Sequence, residues 1–187
     1  MIRYLAGLAL LAIFIIPPAG RAQVHRRDPL TNAESDELRE ASMEPEKKLP
    51  IYLKFARARL ATIEQLRSDA RFAQGRGPKI HDLLEAFKVI VDEMDRNMDS
   101  FANQKLDFRK AIREMIQADS DFQIKLRTLK ESSADPVSAG EAKDYEFALL
   151  DATDAVDGNL DNARELLQEQ EKAAAEAKAA KKGKAKK

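Results

Sequence analysis

Carboxylates are the residues whose spacing most readily suggests chemistry. Asp151, Asp154, Asp157 and Asp161 recur at intervals of three, three and four, so a helix through them carries four acids along one stripe. Such a stripe has the oxygen donors to hold Ca²⁺ or Mg²⁺, or the charge to meet a basic partner; equally, it is what a solvated outer face looks like. Asp92, Asp95 and Asp99 form a shorter version. The first stripe is not an EF-hand loop. With Gly158 in the sixth place, the first and third places fall on Thr153 and Ala155, which offer no carboxylate. Asp119 is different in kind, because it occupies a position where the surrounding pattern calls for an apolar residue. A buried carboxylate needs a partner or a raised pKa. Arg59, on the wide apolar face of an earlier helix, is its candidate partner, as an ion pair that fixes helix register or as a polar site inside the fold.

Other chemistries find little support. There is no cysteine, which removes disulfides, thiolate metal sites and cysteine nucleophiles. His25 and His81 are the two histidines, and neither sits in a Glu-x-x-His or His-Glu-x-x-His pattern. Met94, Met98 and Met115 fall on an apolar repeat, where methionine fills cores more often than it ligates. Gln74-Gly-Arg-Gly-Pro78 has the look of a phosphate loop but lacks both a preceding strand and the Gly-Lys-Ser/Thr signature. No catalytic constellation can be assembled, and no cofactor is expected.

The elements that position these residues are helices. From Ile80 to Leu129 the chain repeats at spacings of four and three: Ile80, Leu84, Phe87, Val91, Met94, Met98, Phe101, Lys105, Phe108, Ile112, Met115, Asp119, Phe122, Leu126, Leu129. That period returns each side chain to one stripe, which must be buried against partner helices. Lys105 and Asp119 break the pattern. Asn97, Asp99, Ser100, Asn103 and Lys105 favour a tight turn near 100–105. The absence of glycine and proline there leaves open one continuous helix of about 75 Å. The flanking helices, near 46–72 and 141–168, match the two halves in length. The expected fold is therefore all-α: an up-down bundle of four main helices, with the middle two fused into one long coiled-coil helix as the alternative.

A short N-terminal helix should precede the bundle. Thr31-Asn-Ala-Glu34 reads as a capping box, and Pro45 and Pro50 bracket the next helix start. Residues 131–140 (ESSADPVSAG) read as a loop. The last main helix carries Tyr145, Leu149, Ala152, Val156, Leu160, Ala163 and Leu167 on its seam, and Gly158 weakens its middle.

The ends of the chain carry the remaining signals. Residues 1–22 read as a secretory signal peptide, with Arg3, an apolar run from Leu5 to Ile16, Pro17-Pro18 and a small-residue cleavage site. The apolar run is short for a spanning helix. Residues 23–30 form a flexible leader, 31–171 the bundle and 172–187 a Lys/Ala-rich basic tail, a fraying helical extension and then a disordered run of lysines. Between residues 23 and 171 there are 23 basic and 31 acidic side chains, against seven lysines and one glutamate after residue 171. The body is therefore acidic and the tail basic, while the signal peptide points to an exported, periplasmic or extracellular protein with no transmembrane span once that peptide is removed. It would work as a non-catalytic structural or adaptor module, through a protein partner or self-association rather than nucleic acid. Lys178, Lys181, Lys182, Lys184, Lys186 and Lys187 are the candidate contacts to an anionic surface. A ligand- or cation-binding bundle using the acidic faces is the alternative.

Overall fold

The computed structural model describes residues 28–41, 44–135 and 139–184, and the signal-peptide and leader expectations for 1–27 lie outside that range, His25 among them. The described residues are helical throughout: α1 (Asn32–Ala41), α2 (Pro45–Ser68), α3 (Arg76–Asn103), α4 (Arg109–Ser133), a one-turn α5 (Ala139–Ala142) and α6 (Glu146–Lys184). A single 3₁₀ turn, Ala70–Phe72, joins α2 to α3. No helix among the described residues is long and apolar enough to cross a membrane.

Residues Ile80–Leu129 make two helices. Every position of their repeat is buried except Lys105, the residue at the break. α3 ends in a Schellman motif: the Leu106 N–H donates to Phe101 O (3.1 Å) and the Lys105 N–H to Ala102 O (2.8 Å). Lys105 itself takes φ +58°, the left-handed conformation that this motif requires and that glycine ordinarily supplies. The turn therefore lacks its usual residue, which is why the sequence left a continuous helix open.

α2, α3, α4 and α6 run up, down, up and down. Two consecutive pairs, α2–α3 and α4–α6, pack side by side, but the third, α3–α4, does not. α2 packs on α3 and on α4, while α6 packs on α3 and on α4. α3 and α4 thus stand across the diagonal of the bundle. They meet through large side chains at its centre, where the Phe87 and Phe122 rings lie edge to face at 5.3 Å. A second pair, Phe101 and Phe108, closes the core beneath the turn at 5.9 Å. Pairs of this geometry add about 1 kcal/mol each beyond the area they bury. α1 lies along α2, burying Leu38 and Ala41. Its expected capping box is formed: Thr31 N–H donates to Glu34 Oε2 (2.8 Å) and Glu34 N–H to Thr31 Oγ1 (3.2 Å).

Four boundaries differ from the sequence reading, the first being the start of α6 at Glu146 instead of residue 141, after the separate turn of α5. α2 stops at Ser68, because the Asp69 side chain accepts from the Arg71 N–H and turns the chain. The 131–140 stretch is helical at both ends, and its centre, 136–138, lies outside the described residues. Finally, α6 continues unbroken to Lys184, which fits the high helix propensity of its Ala, Glu and Lys residues.

Candidate functional site

The most unusual chemistry in the bundle sits between α4 and α6. Asp119 is wholly buried and Asn159 almost so, at 0% and 2% exposure, and they are the only buried polar or charged side chains of the core among the described residues. Asn159 Nδ2 donates to Asp119 Oδ2 at 2.7 Å. The other oxygen of each, Asp119 Oδ1 and Asn159 Oδ1, is buried without a hydrogen-bond partner. Burial pushes the Asp119 carboxyl up to about 7; the Asn159 hydrogen bond acts against this, Asp95 adds to it and Arg164 opposes it.

A second polar layer lies beside it. Asn162 of α6 donates to Asp95 Oδ1 (2.7 Å) and Asp99 Oδ1 (3.0 Å) of α3. Burial raises the Asp95 carboxyl as well, moderated by Asn162 and reinforced by Asp99 and Asp92. α6 thus presents one asparagine to α4 and another to α3. Each amide donor faces a carboxylate whose charge the apolar surroundings disfavour.

Arg59 is not the partner of Asp119. It lies on the α1 side of α2, where its guanidinium donates to both carboxylate oxygens of Glu34 (2.8 and 2.7 Å) and to Pro29 O (2.7 Å). The wide apolar face of α2 is shared between the core and α1, and Arg59 belongs to the α1 share. Asn159 was legible as a partner in principle. It stands in the repeat Ala152, Val156, Asn159, Ala163, but the alternative spacing through Leu160 is apolar throughout and masks it.

Asp151, Asp154, Asp157 and Asp161 all face solvent on the outside of α6. Asp157 accepts from Gln123 (2.6 Å), and Asp161 lies 3.6 Å from Arg164. A straight row of acids spreads its oxygens along the helix instead of converging them. Among the described residues no three His, Cys, Asp or Glu side chains are placed to hold a metal ion. Lys178, Lys181 and Lys182 are exposed on the last turns of α6, whose helix ends at Lys184; Lys186 and Lys187 lie outside the described residues.

α6 is fastened near its departure from the core by Gln170, next to the Arg113–Glu171 ion pair (2.7 Å). Gln170 Nε2 donates to Leu106 O (3.1 Å), and its Oε1 accepts from Phe108 N–H (3.2 Å), so one amide meets both sides of the α3–α4 turn. Beside it opens a cavity of about 440 Å³ lined by Ala102, Leu106, Leu166 and Ala173, with Lys105 and Asp107 at the edge. From Glu171 to Lys182 nothing in α6 is buried. At the opposite end, α6 begins with Phe147 and Leu150 exposed at 74% and 52%. No family model, curated protein or solved structure matches this chain.

Proposed function

We propose that the protein is exported and acts as a non-catalytic interaction module, with the bundle as a rigid base and the C-terminal part of α6 as its contact arm. The observation that carries this reading is the contrast along α6. Up to Gln170 the helix is held by α3 and α4; from there to Lys182 it buries nothing and gains lysines. A basic helix standing clear of an acidic body has its charges available to an anionic partner, and its attraction extends over about a Debye length, ~8 Å at physiological salt. The export half of the proposal rests on the n-region, apolar run and cleavage-site pattern of residues 1–22.

The test uses the full mature chain against vesicles containing an anionic phospholipid, beside the variant K178Q/K181Q/K182Q. The reading expects binding that weakens steeply with added salt and falls at least tenfold in the variant. Equal binding by the two chains overturns it.

A further inference from the structure

The two orphaned oxygens in the core have a common remedy. Asp119 Oδ1 and Asn159 Oδ1 are both acceptors, both buried, and without a donor between them. An ionised carboxylate beside an amide has one donor–acceptor match, the 2.7 Å bond already present. A carboxylic acid beside an amide has two, because the acid O–H donates to the amide oxygen while the amide N–H donates to the other acid oxygen. One added proton therefore supplies the donor that this pair of orphaned acceptors lacks and removes a buried charge.

We propose that Asp119 and Asn159 form a proton-binding site, in which the folded bundle holds Asp119 as the neutral acid in a two-bond pair with Asn159, and loss of that proton loosens the packing of α4 on α6. The ligand is the proton itself, and the site lies apart from the arm of α6, so it stands independently of the function proposed above. The charged surroundings support the neutral form. From α3, Asp95 brings a second carboxylate toward Asp119, with its own charge disfavoured by burial. From α6, Arg164 is the only cation acting on Asp119 in the described structure, and its side chain is more than half exposed and lies near Asp161. Neither the apolar core nor the neighbouring asparagines supply a counter-charge that would hold the anion in place.

The site also explains why an amide stands opposite the acid. A leucine at 159 would leave both Asp119 oxygens unpaired, and an arginine would trap the anion. Asparagine donates to the carboxyl in either state and so opposes the upward push of burial, which leaves ionisation costly but reachable near neutral pH.

The experiment is a carboxyl-carbon NMR titration of the full mature chain, with the Asp119 resonance assigned by comparison with D119N, and amide exchange followed from pH 5 to pH 8. The proposal expects Asp119 to titrate near neutrality, about three units above an unburied aspartate (~3.9). It also expects amide protection across the α4–α6 contact to fall, beyond the intrinsic exchange rate, as the proton leaves. In N159L the midpoint rises further and the loosening persists. Titration of Asp119 at or below the ordinary carboxylate range overturns the proposal, as does unchanged α4–α6 protection through the transition. Should D119N fail to fold, the Asp119 carboxyl is assigned in the unsubstituted chain by through-bond correlation to its own β-protons and backbone.

Discussion

Arg59 grips Glu34 by both carboxylate oxygens, and Glu34 is the residue that closes the capping box of α1. One acid thus starts a helix and ties it to the bundle. The Arg59 hydrogen bonds hold its carboxyl down to about 2. Replacing Glu34 with alanine removes the cap and the ion pair together, and should cost about 1–2 kcal/mol of unfolding free energy. The variant E34Q keeps part of the cap and should lose less. Urea denaturation of both variants checks the order; equal losses would show that the ion pair alone matters.

Glu34 and Asp119 pull the pH dependence of stability in opposite directions. Glu34 has a folded pKa below its unfolded value of 4.5, so its contribution is present above that pH and is lost as pH falls toward 2. Asp119 has a folded pKa of about 7 against 3.8, so its contribution is complete below 3.8 and disappears as pH rises through 7. The second effect is worth at most about 4 kcal/mol. Thermal midpoints between pH 3 and pH 8 should therefore peak well on the acid side of neutral, at about pH 4 where the two slopes cancel, and fall from there toward pH 7. D119N should flatten the neutral limb and R59M the acid limb. A midpoint that climbs steadily to pH 8 would contradict the assignment of Asp119.

Two helical glycines should respond to alanine with opposite signs. A Cβ on Gly77 would lie 2.3 Å from Asp144 Oδ2 and 2.9 Å from Asp144 Cβ, too close for that side chain merely to swing away. Gly77→Ala should cost about 1–3 kcal/mol as the α5–α6 connection is displaced from α3. Gly158 has nothing within 4 Å of its added Cβ, so Gly158→Ala should stabilise α6 by roughly 0.5–1 kcal/mol. Paired calorimetry decides both.

Lys105→Gly should raise stability by up to about 1 kcal/mol, because Lys105 is the left-handed residue of the Schellman turn. If α3 and α4 were continuous in solution, the same substitution would destabilise by a similar amount. The sign of the change in Tm separates the two.

Most of the fold was legible because its code is apolar and periodic. The repeat from Ile80 to Leu129 names the buried face of α3 and α4, and Thr31 and Glu34 announce the start of α1. The turn between α3 and α4 was only half legible, since Lys105 breaks the apolar register but lacks the glycine that would mark a left-handed residue. The ring order of the helices was not legible at all. Periodicity says which face is buried, not which neighbour covers it, so the diagonal placement of α3 and α4 waits for three dimensions. The buried polar pair failed for the same reason. Asp119 was conspicuous within its own helix, but the choice between Arg59 and Asn159 depends on which helix stands opposite.

Gln170 gives the molecule a mechanical fuse. The fourteen residues from Glu171 to Lys184 form a lever of about 20 Å beyond it. Arg113 reaches the base of that lever at Glu171 through an ion pair in which both partners are about half exposed. A sideways load on the lever therefore falls on this ion pair and on the two amide hydrogen bonds of Gln170 at the α3–α4 turn, ahead of the buried side chains of the core.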